Sequence, residues 1–459
     1  MAGIILTVDI GTSSLKAAFI DSFGRLIAFS RMPYRSLSLE AGGCDTGIWK
    51  RAFVLALENL HTLSPDSFIE GICISGNGPT LVPVSREGEA MPPLYWYDSR
   101  TYLPPECEVR TEKGISGTRS FFLPHAAWLK KNNPEEYSKT ALFISSHEWL
   151  AHELGAEALT VLPQVSYGSY YWDDEQCRLF GLERNKFPPF IKTGELMGYL
   201  SAEAVSKLGS GLGLKSGTPI IAGGPDFITA LIGTGTWNRG DVCDRAGSSE
   251  GINVCACLCS NAAPTESGGL RVLPHAREGF WNIGAVIPSS GGLFEQYRIV
   301  TGQKEKAYEE LLAELIPSRE DTEIFRNLEF SPPVGNSSPV PRSTLEFGRS
   351  VLCAIGFAVR NAVETLERQG FPVKAMKVSG GQGKNSRWNQ LKADIVGLSL
   401  MIPEIGDGEL AGNAVLAAAA LEGTSSLEEL MNRMIRVREV YRPGNADFWE
   451  RQYRLHIQS

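Results

Sequence analysis

The chain opens with a short, mainly apolar run, Ile4-Ile5-Leu6-Thr7-Val8, that passes directly into Asp9-Ile10-Gly11-Thr12-Ser13-Ser14 and out again as Leu15-Lys16-Ala17-Ala18-Phe19-Ile20. Runs this short, with no helical period, read as buried strands, and only a tight turn of small residues fits between them. Asp21-Ser22-Phe23-Gly24 turns the chain once more into Leu26-Ile27-Ala28. The result is an antiparallel meander. A helix is predicted over 46–60, where Trp49, Phe53, Leu57 and Leu60 recur at helical spacing, and Gly71-Ile72-Cys73-Ile74-Ser75 is another buried strand. Strands followed by a helix and a further strand point to a mixed α/β sheet.

The same pattern returns in mid-chain. Residues 241–255 read as strand, the small-residue turn Ala246-Gly247-Ser248-Ser249-Glu250-Gly251, and strand. No residue-level repeat accompanies it, so a duplication rests on pattern alone. At 459 residues the chain is too long for a single core, and two or three domains are expected. Helices are predicted over 121–131, 146–153, 227–232, 347–369, 386–396 and 409–421, with a short one opening at Ser201 as N-cap. The helix at 409–421 is almost all Ala and Leu, which implies tight packing. Strands are predicted at Ile220–Ala222 and Ala375–Ser379, and the Pro-, Ser- and Gly-rich stretch 331–341 reads as loop. Tyr167 to Trp172 is aromatic with no clear period.

Composition narrows the partners. Forty-four basic against 52 acidic residues give a net charge of −8, which disfavours nucleic acid or an anionic membrane as partner. No stretch approaches the ~18 apolar residues of a membrane span, and no leader pattern opens the chain. Nine scattered cysteines, an odd count, argue for reduced thiols in a cytoplasmic setting. Cys255, Cys257 and Cys259 alternate as if on one strand face, but no nearby His or Cys completes a tetrahedral set, so they read as core.

Four segments carry chemistry. The turn after Asp9 has the small residues that allow a phosphate to approach backbone N–H groups, with the hydroxyls of Thr12 and Ser13 beside them. Asp9 ends a buried strand, where a carboxylate needs a partner such as a hydrated Mg²⁺ or a hydrogen bond; an ordinary hairpin with a solvated Asp is the plainer reading. Gly247 and Ser248 sit in a second such turn, which fits a second phosphate clamp or a bare turn. Ser379-Gly380-Gly381-Gln382-Gly383-Lys384-Asn385 leaves a strand and enters a helix, and paired glycines there suit an adenine or ribose face. The glycine spacing matches neither a P-loop nor a dinucleotide-binding fingerprint. Finally, Gly223-Gly224-Pro225-Asp226 sets a carboxylate at a strand end before a helix, either as an N-cap or as the general base of phosphoryl transfer.

Taken in order, these segments resemble the FGGY carbohydrate kinases, of the hexokinase, actin and heat-shock ATPase superfamily. Asp9-Ile10-Gly11-Thr12-Ser13 is similar to the first phosphate motif, Gly247-Ser248-Ser249-Glu250-Gly251 to the second, and Gly380 to Asn385 with Trp388, Asp394 and Gly397 to the adenosine motif. Gly223-Gly224-Pro225-Asp226 resembles the glycine-run aspartate that is the family's catalytic base. Tyr95-Trp96-Tyr97-Asp98-Ser99-Arg100 resembles its tryptophan–aspartate–arginine stretch, and Asn77 falls in its sugar-side loop.

The resemblance implies an α/β fold of two ribonuclease-H-like, actin/hexokinase-type domains flanking a central cleft, with boundaries at 1–238 and 239–459. The first would carry the sugar side, the first phosphate turn and the base; the second would carry the ATP side. ATP and Mg²⁺ are the implied cofactors and a small sugar or polyol the substrate, with pairing of two copies common in the family. Asp226 would be the catalytic base. Asp9, Gly11, Thr12, Ser13, Lys16, Gly247, Ser248, Gly380, Gly381 and Asn385 would face the nucleotide, with Asp9 and Asp226 at the metal. Asn77, Trp96, Asp98 and Asp226 would face the sugar. Lys16 also reads as a plain surface lysine and Trp96 as core.

The departures fall on the sugar side. Xylulose kinases usually carry Gln-Met-His-Gly where this chain has Asn77-Gly78-Pro79-Thr80; Phe227 stands where Asn or Gln often follows the aspartate; and 331–341 lacks the usual pattern. A ketopentose such as D-xylulose is the expected substrate. Glycerol, erythritol or another ketose is the alternative, and a catalytically reduced nucleotide or sugar sensor the third.

Overall fold

The computed structural model describes residues 3–37, 45–65, 67–105, 109–111, 114–116, 120–209, 212–257, 269–316, 343–424 and 426–458. The stretch 331–341 and the residues Cys44, Cys107 and Cys259 lie outside them. The chain divides into two compact units. The first holds Met1–Gly233, Pro274–Glu278 and Glu409–Met434, and the second Thr234–Leu273, Gly279–Gly408 and Ile435–Ser459.

The first unit is built on a six-stranded sheet. Its strands are β1 (Ile4–Ile10), β2 (Ser14–Asp21), β3 (Leu26–Pro33), β4 (Ile69–Gly76), β5 (Leu196–Tyr199) and β6 (Pro219–Pro225), in the order β5-β6-β4-β1-β2-β3. The meander β1-β2-β3 is antiparallel, β4 lies parallel to β1, β6 parallel to β4, and β5 antiparallel to β6. Helix α1 (Thr46–Leu63) begins where the Asp45 carboxylate accepts the Ile48 N–H at 2.8 Å. It buries Trp49, Phe53, Leu57 and Leu60 in one core with Leu6, Val8, Leu15 and Phe19, each such side chain contributing roughly 1.5–3 kcal/mol of apolar transfer.

The second unit repeats that plan. Its strands are β7 (Val242–Ala246), β8 (Glu250–Ala256), β9 (Leu270–Pro274), β10 (Trp281–Ile287), β11 (Ala375–Ser379), β12 (Ser399–Pro403) and β13 (Val437–Tyr441), in the order β9-β10-β8-β7-β11-β12-β13. β7, β8 and β10 form an antiparallel run, β11 is parallel to β7, β12 parallel to β11, and β13 antiparallel to β12. Six strands thus follow the first sheet in order and direction, and β9 is the addition. The duplication is present in topology, with almost nothing of it left in the residues.

Helix α2 (Asp226–Gly233) follows β6 in the first unit. In the second, α3 (Thr344–Arg368) precedes β11 and α4 (Ser386–Val396) follows it. Ser343 caps α3 and Gly397, in the left-handed region at φ 76°, ends α4. Helix α5 (Gly408–Glu422) belongs to the first unit from Glu409 onward. A Cβ placed on Gly412 of α5 would lie 1.9 Å from the Thr229 carbonyl oxygen and 3.1 Å from the Gly233 nitrogen, both in α2. The small residues of α5 therefore serve a backbone-to-backbone approach.

The aromatic run around Tyr167 forms a 3₁₀ helix, Val165–Tyr170. The expected cysteine face is corrected: β8 ends at Ala256, so Cys255 is buried while Cys257 is exposed. Among the described residues no three metal-ligating side chains converge, and no helix is long and apolar enough to cross a membrane.

Candidate active site

Asp9 lies near the end of β1, 2% exposed, directly opposite Lys16 on β2. Ser75, its neighbour on β4, donates Oγ–H to Asp9 Oδ1 at 2.9 Å. Asn413 of α5 in turn donates Nδ2 to Ser75 Oγ and to the Val8 carbonyl, both at 2.9 Å. Lys16 Nζ stands 3.6 Å from Asp9 Oδ2 and 3.6 Å from Glu409 Oε2. At 18% side-chain exposure between two carboxylates, Lys16 is part of this cluster rather than a plain surface lysine. Burial pushes the Asp9 carboxyl up to about 7; the Lys16 ammonium opposes this, the negative charges of Glu409 and Asp226 add to it, and the Ser75 hydrogen bond opposes it. A solvated turn aspartate would show none of this.

The turn between β1 and β2 has its carbonyls tied back. Asn77 donates its backbone N–H to Ile10 O at 2.7 Å and its Nδ2 to Gly11 O at 2.9 Å. Tyr34 N–H reaches Ser13 O at 3.0 Å, and Gly11 N–H reaches Ser14 O at 3.1 Å. Thr12 and Ser13 are exposed at its tip. A turn whose carbonyls are engaged inward presents N–H groups outward, the arrangement that receives anions. Trp96, 46% exposed, donates Nε1–H to Thr12 Oγ1 at 3.3 Å, which corrects its reading as core. Asn77 is only 1% exposed and committed to the turn, and Thr80 donates to its Oδ1. Asp98 is bound to Arg100, whose Nε lies 2.8 Å from Oδ2, and that hydrogen bond holds its carboxyl below the usual range.

Asp226 is half-buried and opens α2, so its carboxylate stands at the helix end that favours negative charge. The glycines before it are required by packing. A Cβ on Gly223 would lie 2.2 Å from Ile74 O and 2.7 Å from Asn413 Oδ1, and Gly224 has φ +127°.

In the second unit the turn Gly247–Ser249 is tied back in the same way. Gly247 O accepts Gly291 N–H at 3.2 Å and Gln382 Nε2 at 3.0 Å. Ser248 O accepts Ser290 and Gly292 N–H at 3.1 and 2.9 Å, and Ser249 O accepts Gly247 N–H at 3.0 Å. Beneath it, fully buried Lys392 is 3.0 Å from Asp244 Oδ2 and paired with Glu250 Oε1, while Ser290 donates to Glu250 Oε2. Burial, with Glu250 beside it, holds the Asp244 carboxyl well above its usual range. Burial works to raise Glu250 too, but the Lys392 ammonium keeps it low. Gly380, at φ +104°, leaves no room for a side chain: a Cβ would lie 2.6 Å from Ala246 O. Gly381 faces open space. Asn385 Oδ1 accepts Trp388 N–H at 3.0 Å and so caps α4.

The structure thus brings Asp9, Lys16 and Asp226 together in the first unit, and Gly247, Ser248 and Gly380 around Gln382 in the second. Sequence reasoning missed Glu409, Asn413, Ser75, Gln382 and the Lys392 triad. The signal for the first two was a polar pair at i and i+4 in a helix otherwise almost all Ala and Leu.

Comparison with known proteins agrees with this arrangement. The model of the FGGY family of carbohydrate kinases, N-terminal domain, matches residues 4–233, and that of the C-terminal domain matches 332–421. The xylulose kinase of Bacillus subtilis (strain 168) is 24% identical, covering 96% of this chain and 92% of the relative. The L-fuculokinase of Escherichia coli (strain K12) is also 24% identical, over 93% of this chain and 94% of its own length. The fold is shared with the ligand-bound xylulose kinase of Lactobacillus acidophilus (TM-score 0.75, 18% identity, 99% of this chain and 97% of that one). It is shared as well with the ADP complex of Plasmodium falciparum glycerol kinase (TM-score 0.73, 17% identity, 100% and 97%). With its two halves matched in order by both domain models, the chain belongs to the FGGY family of carbohydrate kinases.

Proposed function

We propose that this kinase transfers the terminal phosphoryl group of ATP to a hydroxyl of a small ketose, with D-xylulose the first candidate. Several full-length relatives named xylulose kinase support the substrate class. The observation that carries the chemistry is the carboxylate pair: Asp226 lies near enough to Asp9 for its charge to help raise the Asp9 pKa, beside a turn that offers N–H groups.

The substrate hydroxyl approaches Asp226, which orients it and accepts its proton as the new O–P bond forms and ADP leaves. Thr12, Ser13 and Lys16 steady the phosphoryl group in transit. Gly247 and Ser248 hold phosphate from the second unit, and Gly380, Gly381 and Asn385 line the adenosine. Trp96 and Asp98 stand on the sugar side, with Asn77 bordering them. The first unit, including residues 409–434, supplies the sugar side and the base, and the second unit the nucleotide side.

Asp9 and Glu409 flank the Lys16 ammonium and the charge of Asp226 acts on Asp9, an oxygen-rich, negatively charged setting that fits a hydrated divalent cation. Asp9 and Asp226 would hold Mg²⁺ there, and bound Mg²⁺ neutralises charge on the β- and γ-phosphates.

A second reading, phosphorylation of another sugar or polyol, is favoured by Asn77-Gly78-Pro79-Thr80, which departs from the xylulose-kinase loop. Relatives named for L-fuculose and autoinducer-2 support it equally well. An ADP-release assay over D-xylulose, L-fuculose, gluconate, glycerol and erythritol tests both. Turnover of D-xylulose alone supports the first, turnover of another substrate the second, and ATP binding with no turnover defeats both.

A further inference from the structure

We infer that Asn77 and Gln382 are matching positioning residues, one carboxamide in each unit, that hold the two phosphate turns with their N–H groups outward. The inference rests on the kinase reading above. Its geometry is internal to each unit.

The two residues occupy corresponding places. Asn77 follows Gly76 at the end of β4, and Gln382 follows Gly380-Gly381 at the end of β11. Each of these strands runs parallel to the strand that enters its turn. Asp9 pairs with Ser75 and Arg245 with Ser379, so Gly11 and Gly247, each two residues further on, are equivalent. Asn77 Nδ2 donates to Gly11 O at 2.9 Å, and Gln382 Nε2 donates to Gly247 O at 3.0 Å. Two sequences with no visible repeat have put the same bond on the same carbonyl.

The orientation of each amide follows from chemistry. A carbonyl only accepts, so the nitrogen must face it. Trp388 Nε1–H only donates, and it lies 3.1 Å from Gln382 Oε1, which fixes the oxygen at the other end. Gln382 Nε2 has a further anchor in Ser290 Oγ at 2.9 Å, and Ser290 is held by Glu250 on buried Lys392. In the first unit Thr80 holds Asn77 Oδ1 and Ser146 Oγ holds the Asn77 carbonyl at 3.2 Å. Were either glycine carbonyl to swing outward, an oxygen would face phosphate oxygens. The clamps exclude that, and replacing a clamp by a carboxylate of the same shape sets acceptor against acceptor.

The test uses the full-length protein with Gln382→Glu, Gln382→Met, Asn77→Asp and Trp388→Phe, read by calorimetric titration with MgADP, steady-state kinetics and melting. Wild-type ADP binding and sugar turnover test the kinase reading itself, and only the variants speak to the clamps. Both Gln382 variants are expected to weaken ADP binding by about tenfold or more with the KM for sugar unchanged. Asn77→Asp is expected to lower kcat by about tenfold or more with a smaller change in sugar KM. Trp388→Phe, which frees the amide to rotate, should weaken ADP binding in the same direction by less. ADP affinity within about twofold of wild type in Gln382→Glu, or losses that follow melting temperature alone across the set, would overturn the inference.

Discussion

The two turns occupy equivalent places on equivalent sheets, yet their electrostatics are opposite. Beside the first, Asp9 faces Lys16 across β1 and β2, with Glu409 and Asp226 adding negative charge. In the second, Arg245 faces Gly251 at the equivalent pair, and the charges lie beneath the turn as the sealed Lys392–Asp244–Glu250 triad. In the first unit a mostly buried cluster of unlike charges stands beside the turn, with Lys16 18% exposed. In the second the buried triad is neutralised internally, and the cation Arg245 stands where the first unit has the anion Asp9. A duplicated scaffold thus keeps its backbone device, the tied-back turn, while the charges beside it differ between the two copies, as the proposed division between chemistry in one and holding in the other requires.

The largest test of that contrast is Asp226→Ala. It should lower kcat by about a thousandfold and leave ADP binding intact, as measured by coupled assay and calorimetry; retained turnover would remove the base from the first unit. Next is Lys392→Met, which leaves two carboxyls buried without their cation and should cost about 3–5 kcal/mol in denaturant unfolding. Adding Asp244→Asn and Glu250→Gln should recover most of that loss. Lys16→Met, whose side chain is 18% exposed against 1% for Lys392, should cost less stability than Lys392→Met while lowering turnover. Gly412→Ala should destabilise by about 1–3 kcal/mol through the contact of α5 with α2, measured by the same unfolding.

The smallest effect is a pH profile from two adjacent buried groups in the first unit. Burial pushes Glu148 up to about 7 from 4.5 and His147 down to about 3 from 6.5. Between pH 3 and 4.5 the unfolded chain carries one more proton, on His147, so stability rises with pH. From 4.5 to 6.5 each state carries one proton, on Glu148 when folded and on His147 when unfolded, and the contribution is flat. Above 6.5 the folded state alone holds a proton, and stability falls toward pH 7. In His147→Leu the plateau should become a decline that starts near 4.5, visible in melting temperature against pH.

Much of the fold was legible because its strands are short apolar runs bounded by small-residue turns, and the helices over 146–153 and 386–396 match their predicted limits. The Asp9 turn and the glycine-run Asp226 were legible for the same reason: steric need leaves glycine in the sequence, as Gly223 against Ile74 shows. Glu409 and Asn413 were not, because they reach Asp9 and Ser75 from the far end of the chain and sit in a helix whose small residues spoke only of packing. Gln382 was hidden within a recognised motif. Its role depends on Trp388 and Ser290, partners that spacing along the chain does not specify. The cysteine reading holds for Cys255 and fails at Cys257, because β8 ends at Ala256 before the alternation reaches it.

Residues 409–434 return to the first unit after the chain has built most of the second. Cutting the protein at its midpoint therefore does not give two self-sufficient pieces. A fragment stopping at Gly233 would lack the Asn413 amide that supports Val8 and Ser75, and would bare the backbone of α2 at Thr229. Hybrid enzymes made by exchanging front and back halves between relatives would give Asp9 a foreign helix as its support. Exchanges that carry residues 409–434 along with the front half keep that aspartate with the scaffold it was selected beside.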